Sequence, residues 1–239
     1  MLIPAIQLYA ESTLEEKYKA ETFRLYIDGQ MDQWQKVIDA MQSEPHQTEA
    51  FQLDILGYYY GLIGYLMDNH KKDEAGRCLK AANLLAGKLY EKDPHSALLL
   101  GFMSNFTGFQ IALTPLRAPF LAKGMMSKAK EAIQNGPDIP YVNILYGNIL
   151  FYMPDMLGGD SKKALEHYKK ALSEMEKSPG TVKNNWLYIQ LLTTIGLVYE
   201  KSGNYIQAQQ MFQKVMKLQP NYTHVRDVIY PRLLKEMKQ

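Results

Sequence analysis

The chain has 239 residues, 46% of them hydrophobic and 22% charged, with a formal net charge of +2. It is long enough to bury a sizeable core, and its interleaved lysines and acids leave neither a concentrated basic face for nucleic acid nor an acidic tail. The single cysteine, Cys78, excludes an internal disulfide and a cysteine-rich metal site.

In chain order, residues 1–12 read MLIPAIQLYAES, apolar as far as Ala10 and polar from Glu11. An apolar stretch followed by a short segment ending in Ala is the pattern of the end of a secretory leader, here without a basic start and with the large Leu8 near the break. Export from a bacterial cell, to the periplasm, is therefore one expectation. An ordinary N-terminal segment of a cytoplasmic protein is the other. From residue 13 onward strand signals are almost absent. Apolar residues recur at three- and four-residue spacing, and Gly, Pro, Asp or Asn punctuates every 15–20 residues. The pattern predicts helices near 13–27, 31–42, 48–68, 72–91, 95–113, 118–135, 139–153, 161–177, 184–202, 205–218 and 223–237. Thr13 and Glu16 have the spacing of a capping box for the first of these. The run ILGYYYGLIGYLM at 55–67 is too short to span a bilayer and reads as a buried helix. Cys78 lies on the apolar stripe CLKAANLL and reads as a small buried hydrophobe. Pro231 should kink or break the last helix. The connections are short, so neighbouring helices should form antiparallel hairpins.

Residues 184–220 carry the clearest pattern. Leu192, Ile195, Gly196 and Tyr199 lie on one helix, and Gly203 and Tyr205 mark a turn. Ala208, Phe212 and Val215 lie on the next helix, and Pro220 closes the unit. This segment resembles the tetratricopeptide repeat, a 34-residue helix–turn–helix with small residues where its two helices touch. Earlier pairs keep parts of the pattern. Gly64 goes with Ala75, Leu79 and Ala82, Gly108 with Ala129, Ala132 and Pro137, and Gly147 with Ala164, Tyr168 and Ala171. Gly147 and Ala164 are five residues further apart than the repeat requires, and the excess falls in Pro154–Asp160. The turn TPLRAP at 114–119 is also enlarged. The first pair, 13–45, keeps only Gly29 and Pro45. The expected fold is all-α, an α-solenoid in a right-handed superhelix of about five degenerate hairpins. A C-terminal helix would cap it, and a single domain would span 13–239.

The stretch FYMPDMLGGDSKKALEHYKKAL, 151–172, raises the question of a phosphate-binding loop. Such a loop needs a strand before its glycines, and none is predicted, so the stretch reads as an enlarged turn with Asp160 or Ser161 as the helix cap. Pro154, Leu157, Gly158, Gly159, Asp160, Lys163, Ala164, Tyr168, Lys170 and Ala171 are similar to the motif of a narrower group. These are bacterial tetratricopeptide proteins that include a periplasmic component associated with tripartite (TRAP-type) transporters. That resemblance implies an extracytoplasmic, non-enzymatic protein that binds a ligand or protein partner. No lipidation cysteine stands near the start of this chain.

No motif for a metal protease, calcium loop, nucleotide loop or nucleophile elbow is present. The five histidines fall mostly at turns, and no two are four residues apart. No catalytic residue, metal site or cofactor is expected. The family resemblance instead implies a concave face lined by the first helix of each pair. The inward positions are Tyr58, Gly61 and Tyr65, then Phe102, Asn105 and Phe109, then Tyr141, Asn148, Phe151 and Tyr152, and finally Gln190. An aromatic, amide-rich groove of this kind suits a protein or peptide partner, or a small apolar ligand. Its aromatics would supply apolar contact, and Asn105, Asn148 and Gln190 would orient the bound group. On this reading Asn105→Ala/Asn148→Ala weakens binding without unfolding the protein. The alternatives are that these aromatics simply fill a tight superhelix, or that the array is a structural adaptor in a transport or envelope complex using its convex face or edges.

Overall fold

In the computed structural model, residues 3–238 are described, with side chains from Leu14 onward. The leader expected at 1–12 lies outside the described side chains. Five helix pairs pack as hairpins. They are α1 (Ile3–Ile27) with α2 (Trp34–Ser43), α3 (Glu49–Asp68) with α4 (Lys72–Tyr90), α5 (Ala97–Leu113) with α6 (Ala118–Asn135), α7 (Pro140–Tyr152) with α8 (Ser161–Glu176), and a fifth pair after the short α9 (Pro179–Val182). That fifth pair is α10 (Trp186–Lys201) with α11 (Tyr205–Leu218), and α12 (Tyr230–Glu236) packs on α11 and caps the array. No strand occurs among the described residues. The all-helical solenoid is the one expected, and no described helix is long and apolar enough to cross a membrane. One continuous core runs from Tyr18 through all five hairpins to Leu233, and it includes the buried Cys78.

Three local expectations are corrected. Helix α1 begins at Ile3, so position 13 lies inside a helix rather than at its start. No helix is predicted between 177 and 184, but Pro179, whose missing N–H costs nothing in a first turn, starts the short α9 there. The break at Pro231 is displaced upstream as a π-helical turn at His224–Ile229. Proline offers no N–H to the preceding turn, and the helix widens before it.

The repeat signature has a direct steric meaning. A Cβ on Gly196 would sit 2.3 Å from Phe212 Cε1, and one on Gly147 would sit 2.6 Å from Tyr168 Cε1. In both hairpins a ring from the second helix lies flat on a bare glycine of the first. The ring follows its glycine at different sequence distances, and the difference is the five-residue excess. That excess is looped out at 154–160 without disturbing the contact. The chain leaves α7 at Met153, makes one 3₁₀ turn over Asp155–Leu157 and passes Gly158 at φ 102. It then returns with Asp160 N–H donating to Leu150 O at 2.9 Å. Asp160 caps α8, its Oδ1 accepting from the N–H groups of Lys162 and Lys163 at 3.1 and 3.0 Å. Those bonds, with the Lys163 side chain, hold its carboxyl below the usual carboxylate range. The chain's own carboxylate thus occupies the place an anion would take.

Gly159 is the constrained residue of this turn, because a Cβ there would lie 1.9 Å from the Met153 carbonyl oxygen. Gly159→Ala is expected to cost about 3 kcal/mol, lowering the melting temperature by roughly 10 °C. A melt within about a degree of wild type would show that the turn is built differently.

Candidate functional site: the concave face and its rim

The inward faces of α3, α7 and α10 converge, and the first hairpin folds its large aromatics into the space between them. A Cβ on Gly61 would meet Trp34 Cζ3 at 2.6 Å and Trp186 Cη2 at 2.9 Å, so two indoles from the first and fifth hairpins sit against this bare stretch of α3. Their rings are edge to face at 5.1 Å. Tyr26 packs on Trp186 at 5.8 Å and on Tyr222 at 5.0 Å. Tyr26 Oη donates to Gln190 Oε1 at 2.6 Å and accepts from Tyr222 Oη at 2.7 Å. Burial pushes the Tyr222 phenol up to about 12, and Tyr26 well above the ordinary phenol value.

The expected groove residues are therefore placed as follows. Tyr58 is buried, edge-on to Trp34 at 5.6 Å. Phe102 and Asn105 are buried in the wall between α5 and α7, where Asn105 Nδ2 donates to Gly101 O at 2.9 Å and Leu145 O at 3.0 Å. Asn148 is buried, its Oδ1 accepting from Tyr168 Oη at 2.6 Å and its Nδ2 donating to Tyr60 Oη at 2.5 Å. Tyr65, Phe109, Tyr141, Phe151 and Gln190 are half-buried. Tyr141 Oη donates to Asn185 Oδ1 at 3.3 Å, Phe109 packs on Tyr60, and Phe151 lies under the Lys201 ammonium at 5.0 Å. Tyr152 alone is open, with 67% of its surface exposed.

Asn148, Tyr152 and Gln190 come together, with Tyr60, Tyr168 and Thr194, around a cavity of about 30 Å³. That is space for one or two waters rather than a ligand. Among the described residues no buried side-chain nitrogen or oxygen lacks a hydrogen-bond partner. Asn105 and Asn148 are hydrogen-bonded within the fold, so Asn105→Ala/Asn148→Ala carries a stability cost in addition to any effect on binding. Sequence reasoning missed Tyr26, Trp34, Tyr60, Tyr168, Trp186 and Tyr222. The available signal was Gly61, a residue without a side chain on an inward stripe of tyrosines.

Both mouths of the filled groove carry groups that touch solvent yet are ringed by protein. At one, burial and then Asp68 raise the phenol of the exposed Tyr152. At the other, Asp54 is exposed, but desolvation, reinforced by Glu15, pushes its carboxyl up to about 6. A carboxyl with a raised folded-state pKa binds its proton more tightly in the folded chain. Its stabilising contribution is full below the ordinary Asp value and is lost as pH rises through about 6. Asp54→Asn is accordingly expected to raise the melting temperature at pH 7 and to leave it unchanged at pH 4. Paired melts at the two pH values check this, and equal shifts at both would refute it.

Residues 189–222 match the sequence model of the tetratricopeptide repeat family. The segment singled out above, 184–220, contains nearly all of them. No curated protein matches the chain by sequence. Among solved structures, the chain is similar to the crystal structure of a thermophilic TPR protein in Thermus thermophilus, at 16% identity, 92% coverage of this chain, 98% of that one and a TM-score of 0.56. MamA protein is similar at 14% identity, 77% and 88% coverage and a TM-score of 0.37, too loosely to carry an argument. The chain is thus an all-helical solenoid with a fold like that of the thermophilic TPR protein, and its residues 189–222 match a tetratricopeptide repeat.

Proposed function

We propose that the protein is a non-enzymatic scaffold that holds a protein partner on the outer surface and edges of its helical array. Tetratricopeptide folds generally serve protein interaction, and one observation supports the outer face here. The concave side is taken up by the chain's own Trp34 and Trp186, packed over Gly61. A partner peptide would have to displace that seam. The outer helices instead offer isolated apolar side chains, such as Leu84 on α4 and Val228 before α12, at 65% and 55% exposure. A photo-crosslinking residue placed at Leu84 or Val228 should capture the partner in the native host, and one placed at Gln190 should not. Capture from Gln190 alone would overturn the reading.

A second reading keeps capture at the rim of the groove. Tyr152 supports it, because it is widely exposed and borders the small cavity. A crosslinker at Tyr152 separates the two. The likeness to the transporter-associated group rests on the motif at 154–171, and within this proposal it places the scaffold in a bacterial envelope complex. Mass spectrometry of the mature N-terminus from the host tests export.

A further inference from the structure

Two hairpins carry enlarged turns, and both turns lie on the same edge of the array, since each joins the first helix of a pair to the second. They are built alike. A 3₁₀ turn at Pro115–Arg117 precedes α6, and another at Asp155–Leu157 follows Pro154. Each holds a large apolar side chain at its tip, with Leu116 93% exposed and Met156 91% exposed. Phe120 in the first turn of α6 is 85% exposed. The two turns adjoin, because Met153 at the root of the second packs with Ile111, Met125 and Met126 at the root of the first.

The charge around the first tip is one-sided, whereas at the second the exposed Asp155 stands beside Met156 and Asp160 pairs with Lys163. Between Asp93 and Glu131 the chain has no acid, and it carries Arg117, Lys123, Lys128 and Lys130. Arg117, Lys123 and Lys130 are exposed, and none of the four is ion-paired among the described residues. Apolar side chains standing on convex tips, with a fringe of unpaired cations, form no pocket that a peptide side chain could enter. They suit a soft anionic surface, into which each can wedge separately while the cations meet headgroups.

We propose that this edge docks the protein peripherally on an anionic lipid bilayer. Leu116 and Phe120 enter the boundary between headgroups and acyl chains, and Arg117 and Lys123 lie against lipid phosphates. The proposal does not depend on the scaffold reading, since it needs no protein partner. Its test uses the full chain with phosphatidylcholine vesicles and with mixed phosphatidylcholine–phosphatidylglycerol vesicles. Co-sedimentation is expected with the mixed vesicles, weakening as salt rises. Leu116→Ser/Phe120→Ser should reduce the bound fraction by about tenfold or more, with an unchanged melting temperature because both side chains are already in water. Arg117→Glu/Lys123→Glu should abolish the preference for anionic vesicles. Leu84→Ser, an apolar loss on another face, should leave vesicle binding unchanged. In Phe120→Trp, indole emission should shift to the blue on vesicle addition. The proposal is overturned if the protein ignores anionic vesicles at low salt, or if Leu84→Ser matters as much as the edge variants. It is also overturned if the edge variants instead abolish capture of a protein partner while vesicles are never bound.

Discussion

Trp186→Ala is expected to cost about 3–5 kcal/mol and to lower the melting temperature by roughly 10 °C or more. Trp186 is 7% exposed and touches residues from the other end of the chain, namely Trp34, Tyr26 and the bare backbone at Gly61. Its removal opens a void that the flanking helices cannot close, since α3 and the first hairpin are each held by their own cores. Trp34→Ala should cost a similar amount. The double variant should lose less than the sum, because the two indoles share one contact. Urea titrations of the four proteins measure this. Strict additivity would mean that the two ends of the array do not meet.

The second large effect belongs to Asn148. Its side chain is the joint between two phenols, accepting from Tyr168 and donating to Tyr60. Tyr168 is fully buried, and both phenols border the small cavity. Asn148→Ala takes this partner from both hydroxyls at once, beside a space that holds no more than one or two waters. The expected cost is about 2–3 kcal/mol. The asymmetry of buried hydrogen bonds supplies a sharper check. Asn148→Leu/Tyr60→Phe/Tyr168→Phe, which removes the donors along with the joint, should recover most of that loss. If the triple variant is as unstable as Asn148→Ala, the loss is one of packing and the joint contributes little.

The fold was legible because its signals are local. Helical spacing placed nine of the eleven predicted helices within a few residues, the exceptions being α1, which starts earlier, and the last, which is split by a π-helical turn; the glycine–aromatic contacts of Gly147 and Gly196 follow from the repeat pattern itself. The enlarged turn at 154–160 was legible as an excess in spacing. The state of the concave face was not. Sequence register tells which residues face inward, and it placed Tyr58, Asn148 and Gln190 on that side. Whether an inward face is empty depends on how tightly the array curls and on what arrives from the far side. Tyr26 meets Gln190 across 164 residues and Tyr222 across 196. No periodicity in one sequence encodes a meeting of that kind. Asn105 shows the same limit at shorter range, for its amide is spent on backbone carbonyls of α5 and α7.

The seam of Tyr26, Trp34, Trp186 and Tyr222 also makes the array count. A solenoid whose units touch only their neighbours can gain or lose a hairpin, and its ends simply move apart. Here the first and fifth hairpins recognise each other. A sixth unit inserted between them would pull Trp34 from Trp186, and a deleted one would drive them together. Five is therefore a stoichiometry fixed by the structure, and duplication of an internal hairpin, harmless in an open array, would here expose the aromatic interior.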